Sequence, residues 1–223
     1  VTALDEAVQG VHNPQQGATN VKTLVADPAV LGILGPLASN VAAAEIPIAN
    51  DAGIALISGS ATNPDLTHSA KFRTAHPGEI DFFRVCATDD LQGSVGAQFA
   101  RARGFTRVYV VDDNETYGRG LADVFAAAFA RLGGKVLGHD HVLPNQQDFH
   151  ALLSTVAATH PDAVYWGGVT STGGLLLRQQ MPAAGIDPRA VAVLGGDGLQ
   201  DPAFPAQAGA AAENTFYTAG TPN

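Results

Sequence analysis

Several short stretches of this 223-residue chain place polar groups where chemistry could be done. Asp112 and Asp113 close an apolar run. Two carboxyls at a strand end can share acid and base work, but here they read as polar groups at the rim of a cleft. His139 and His141 are two residues apart and so share one face of a strand. A metal centre needs three or four converging ligands. With His76, His150 and His160 scattered along the chain, none is expected. In Gly35-Pro36-Leu37-Ala38-Ser39-Asn40, Ser39 sits at the N-cap of a helix. Its hydroxyl and the free N–H groups of the first turn can receive a carboxylate, or can simply cap the helix. The stretch from Ser58 to Thr67 offers small hydroxyls and exposed backbone with little bulk. Such a loop can wrap a small polar ligand or form a capped turn. Asp197, in Gly195-Gly196-Asp197-Gly198, reads by itself as an Asp-Gly turn residue. No nucleophile elbow, phosphate loop, dinucleotide fingerprint or His-Glu-x-x-His motif is present.

The elements that must position these groups alternate regularly. Apolar runs predict nine strands: Val1–Leu4, Val30–Leu34, Ile54–Ile57, Phe82–Cys86, Arg107–Val111, Lys135–Gly138, Ala163–Trp166, Val191–Leu194 and Thr215–Thr218. Amphipathic stretches between them predict helices over Pro14–Ala26, Asn40–Ala52, Gln92–Arg103, Tyr117–Leu132, from Asp148 to about Thr159, and Thr172–Ala184. Strand alternating with helix at this spacing means parallel sheets covered by helices. The long polar segment Ser58 to Pro77, followed by Asp89-Asp90, divides the chain into two lobes, 1–88 and 89–223. The single cysteine, Cys86, forms no intrachain disulfide and is expected buried at a strand end.

Composition narrows the function further. A net charge of −9 disfavours nucleic-acid binding, which needs clustered Lys and Arg. No apolar run approaches the roughly 20 residues of a membrane helix, so no direct membrane insertion by this segment is expected.

Read in order, the segments Val30–Ser39, Ile46-Pro47-Ile48-Ala49, Ser58–Thr67, Phe83-Arg84-Val85, Asp89–Gly93, Val110–Leu121, Asp148-Phe149, Asp162–Gly168 and Gly195–Gly198 resemble the type I periplasmic binding proteins, specifically the leucine/isoleucine/valine-binding group. The resemblance spans essentially the whole chain. It implies two doubly wound α/β lobes facing a cleft. The first lobe would be incomplete, with family segments missing before Val1 and after Asn223, as in an internal piece of a longer protein. It implies that Ser39, Ser60, Ala61 and Thr62 hold a ligand carboxylate, that Tyr117 packs on the ligand, and that Asp197 accepts the ammonium. Val169 stands where the group places an aromatic pocket wall, implying a roomier or more polar pocket. The implied function is solute capture for an ABC transporter, with its membrane subunits as partners. The implied location is periplasmic or extracellular, with a lipid anchor on the full-length protein as one arrangement. No cofactor and no enzymatic activity are expected. The alternatives are a ligand-sensing receptor domain for an amino acid, amide or aromatic acid, and, further off, an α/β enzyme.

Overall fold

The computed structural model describes residues 1–143 and 146–220. The last three residues of the predicted second lobe, 221–223, lie outside them. The chain forms two compact units, Val1–Thr88 and Asp89–Asn223.

The first unit opens with a two-residue hairpin, β1 (Ala7–Val8) and β2 (Val11–His12). Gln9 and Gly10, both at positive φ (54° and 78°), form its turn. Then come α1 (Pro14–Val25), β3 (Ile33–Leu34), α2 (Ser39–Ala52), β4 (Leu56–Ser58), α3 (Asp65–His68) and β5 (Phe82–Arg84). Asn13 caps α1 by accepting the Gln16 N–H at 2.9 Å, and Pro14 takes the first helical position. α2 ends at Gly53 in the left-handed conformation. The three parallel strands are ordered β3-β4-β5. Ile33, Leu56 and Phe82 point into a core with Val21, Ala42 and Ile46 of the two long helices. The residues that follow them, Leu34, Ile57 and Phe83, lie in one cross-strand register and are exposed at 86%, 40% and 48%. Period-two alternation thus gives this small sheet one covered face and one bare apolar row.

The second unit carries α4 (Asp89–Ala102), β6 (Arg107–Asp112), α5 (Thr116–Arg131), β7 (Lys135–His141), α6 (His150–Ala158), β8 (Ala163–Gly167), α7 (Leu175–Gln180), β9 (Ala192–Gly195), α8 (Ala203–Ala208) and β10 (Thr215–Tyr217). All five strands are parallel, in the order β10-β9-β8-β6-β7. On one face Val108 and Val110 meet α4 and α5 through Ala97, Leu121, Phe125 and Phe129. On the other, Tyr109 and Val111 meet α6 and α7 through Leu153, Val156 and Leu177. Winding outward in both directions from β6 makes a topological switch between β6 and β8, where ligands of open α/β sheets bind.

The fold is the predicted α/β class with parallel sheets. Some local expectations fail for identifiable reasons. Residues 1–4 are exposed and have no ladder partner, so the first predicted strand is absent. β5 stops at Arg84, leaving Cys86 half-buried rather than at a buried strand end. The helix predicted over Thr172–Ala184 is broken. Gly173, at φ 147°, and Gly174 press against the Trp166 ring, where an added Cβ would lie 2.8 Å from the Phe149 ring and from Trp166 Nε1 respectively. That contact requires the special backbone at Gly173, and a regular helix resumes only at Leu175.

Candidate functional site

In the first unit the candidate residues gather on the two loops that follow β3 and β4. Ser39 is the first residue of α2, with Ala38 as the N-cap, so its hydroxyl does not cap the helix. It instead accepts the Asn63 N–H at 3.2 Å and joins the two loops. Ser58, which sequence reasoning did not single out, organises the turn. Its buried hydroxyl donates to Pro36 O at 2.6 Å and accepts from Ala61 N at 2.9 Å and Ser60 N at 3.2 Å. Ser60 spends its own hydroxyl on Leu37 O at 2.7 Å. From β5, Arg84 donates to Ala61 O and Asn63 O at 3.0 and 2.8 Å and to the Thr67 hydroxyl at 2.7 Å. Within this braced turn Ala61 and Thr62 are fully buried, and the Thr62 hydroxyl makes no hydrogen bond to the protein. A buried hydroxyl without a partner costs free energy unless something else satisfies it. Ser39 and Thr62 therefore offer O–H donors that the chain itself does not use up.

In the second unit, Tyr117, Val169 and Asp197 come together at the carboxyl ends of β6, β8 and β9. Tyr117 donates its phenol to Asp197 Oδ1 at 2.7 Å, and the same oxygen of Tyr117 accepts the Gly198 N–H at 2.9 Å. An added Cβ on Gly198 would lie 2.9 Å from the Tyr117 ring and 3.0 Å from Val169 Cγ1, so the three residues converge. The approach of α5 to β8 places the tyrosine. A Cβ on Gly118 would come 2.3 Å from the Gly167 carbonyl oxygen, a contact that only glycine permits. Gln92, from the first turn of α4, accepts the Asp197 N–H at 3.3 Å and the Thr218 hydroxyl at 3.0 Å. It was missed in the sequence. The available signal was its position on the buried stripe of α4, which also carries Asp89, Gly93, Gly96 and Ala97.

Burial governs the electrostatics of this cluster. Burial raises the Asp197 pKa, against the lowering effect of hydrogen bonds from Tyr117 and Gln92. Burial, with the carboxyls of Asp197 and Asp89, pushes the Tyr117 phenol well above its ordinary range, so it remains a donor. Among the described residues no Lys, Arg or His forms an ion pair with Asp197.

The expectation for Asp112 and Asp113 needs correcting. Neither lies at a rim: both are buried. Asp113 accepts the Thr172 hydroxyl at 2.6 Å and the Glu115 N–H at 3.0 Å, tying the β6 loop to the turn after β8, and burial raises its pKa to about 6. Asp112 meets His139 and His141. Sequence reasoning had seen the two histidines on one face but not the carboxylate between them. Among the described residues no helix is long and apolar enough to cross a membrane.

Comparison with known proteins agrees with this fold. The family model described as "Periplasmic binding protein" matches residues 8–223. The Leu/Ile/Val-binding protein BraC3 of Rhizobium johnstonii is 32% identical over 215 residues, covering 96% of this chain and 55% of that protein. The crystal structure of the leucine binding protein LivK of Thermotoga maritima superposes with a TM-score of 0.80 at 30% identity, covering 89% of this chain and 53% of that one. The branched-chain amino acid transporter substrate binding protein LivJ of Streptococcus pneumoniae, solved in complex with isoleucine, gives 0.78 at 26% identity, covering 92% and 55%. The chain thus spans about half the length of the relatives it matches. A family match over nearly every residue, with the α/β architecture found here, has one meaning: the chain belongs to the periplasmic binding protein family.

Proposed function

We propose that this chain is part of a solute-binding protein that captures an α-amino acid, branched-chain or related, and presents it to the membrane subunits of an ABC transporter. In this reading it works on the periplasmic or extracellular side and performs no covalent chemistry. The observation that carries the proposal is Asp197: a half-buried carboxylate oriented by the Tyr117 hydroxyl, on a backbone whose N–H is held by Gln92, with no cationic side chain paired to it among the described residues. A ligand ammonium supplies that counter-charge through a charge-assisted hydrogen bond. In the first unit the Ser39 and Thr62 hydroxyls supply donors suited to a carboxylate, while Ser60 and Ala61 hold the turn that carries them. Val169, followed by Thr170 and Ser171, makes the side-chain end wider and more polar than an aromatic wall would.

Isothermal titration calorimetry of the protein against leucine, valine, alanine, phenylalanine and benzoate tests this. At least one α-amino acid is expected to bind. Asp197→Ala should weaken it by about 10- to 100-fold, the worth of one hydrogen bond to a charged group. Binding of benzoate alone, indifferent to Asp197, would keep a binding protein but remove the amino acid.

A further inference from the structure

β6 and β7 pair in parallel so that Val110 lies beside His139 and Asp112 beside His141. The two histidines project from the same face, and Asp112 is the last residue of its strand. All three side chains meet. His139 Nε2 is 2.7 Å from Asp112 Oδ2, and His141 Nδ1 is 2.8 Å from the same oxygen and 2.9 Å from Oδ1. One ligand-type atom from each residue lies within 4.8 Å of the other two.

The surroundings favour an ion over a hydrogen-bonded trio alone. Asp112 is fully buried, and the Asn114 N–H fixes its carboxylate at 2.8 Å. The other ring nitrogen of His139 faces the Asp123 carboxylate of α5 at 3.8 Å. A carboxylate hydrogen-bonded to the far nitrogen is the usual support of a metal-ligating histidine, and a small movement of the exposed Asp123 side chain would complete that bond. The histidine side chains are 21% and 42% exposed, so an ion can enter from solvent.

We propose that Asp112, His139 and His141 bind a divalent first-row transition-metal ion of the zinc type, at a site separate from Tyr117 and Asp197. Imidazole suits zinc, copper and nickel, whereas calcium and magnesium prefer all-oxygen ligands. Metal–ligand bonds of about 2.0–2.1 Å put neighbouring tetrahedral ligand atoms roughly 3.3 Å apart. The Asp112–histidine pairs therefore need to spread by about half an ångström, and the two histidine nitrogens, within 4.8 Å of each other, need to draw together, which half-exposed His141 allows. Three protein ligands leave a fourth position for water or a second molecule.

The test is zinc titration of the chelator-treated, tag-free chain by calorimetry, with cobalt(II) as a spectroscopic substitute. Expected are one-to-one binding, visible absorption bands of low-coordinate cobalt, and no response to calcium or magnesium. The His139→Gln/His141→Gln double variant should bind zinc at least 100-fold more weakly. Undiminished binding by the double variant would overturn the proposal by placing the ion on other histidines. So would absence of binding by the folded wild-type chain. Nitrogen-15 spectra of the wild-type imidazoles give a readout that does not depend on the variant folding. Zinc should shift His139 and His141 alone, and shifts confined to other histidines would refute the site.

Discussion

Replacing Arg178 by methionine is expected to destabilise the second unit by about 3–5 kcal/mol, the cost of orphaning several buried groups at once. Arg178 stands on α7 with its side chain fully buried. Its guanidinium donates to Ala211 O at 2.5 Å, to Val191 O at 3.1 Å, to Pro188 O at 3.0 Å and to Glu213 O. Those carbonyls belong to the segments that enter β9 and β10. One planar fork therefore fixes the approach to both strands, and through β9 the position of Asp197. Burial pulls the group down to about 10, with Asp187 opposing, so it stays charged at neutral pH. Methionine matches the stem but leaves the carbonyls without donors. Lysine keeps the charge but cannot reach four directions, so Arg178→Lys should also lose stability, though less. Denaturant unfolding followed by circular dichroism measures both. A loss under 1 kcal/mol for Arg178→Met would show that water replaces the fork.

The second large effect is on pH dependence. Glu45, on α2, is only 4% exposed, and burial, helped by the charge of Glu6, raises its pKa from 4.5 to about 8. Such a group holds its proton in the folded state and releases it on unfolding. Its stabilising contribution is complete below pH 4.5 and is lost as pH climbs through 8. At about 1.4 kcal/mol per unit this amounts to roughly 3–5 kcal/mol across the window. Glu45→Gln keeps the shape without the proton. Its stability relative to the wild type should therefore grow steadily from pH 5 to pH 8. Thermal unfolding of both proteins at the two pH values decides the matter, and parallel curves would show that Glu45 is not the source. The tight packing of α1 on α2 enforces the burial, since a Cβ on Gly17 would lie 2.7 Å from Glu45 Oε1.

Both residues show where sequence reading loses resolution. The strands from Val30 onward and the major helices were legible because apolar period and glycine stops reflect burial and capping directly. The loops after β3 and β4, and Tyr117 and Asp197, could be selected because they follow strands and match a family pattern. Arg178 could not. A lone arginine in an amphipathic helix has the same appearance whether it points to water or to four carbonyls. Gln92, Ser58 and Arg84 escaped for the same reason: their work is to hold backbone that lies far away in sequence. The Asp112–His139–His141 group depends on strand register, and a parallel pairing 27 residues apart leaves no local trace.

The row Leu34–Ile57–Phe83 carries a practical consequence. Bare aliphatic and aromatic side chains in one line, backed by a rigid sheet, form a surface that adheres to any apolar partner. Fluorescent dyes that light up in oily environments, hydrophobic resins and further copies of the chain all qualify. Light scattering from solutions of this 223-residue polypeptide is therefore expected to rise with concentration and salt, and substitutions at those three positions are expected to lower it. Serine or threonine there would improve handling while leaving the opposite face, with Ile33, Leu56 and Phe82, to hold the sheet together.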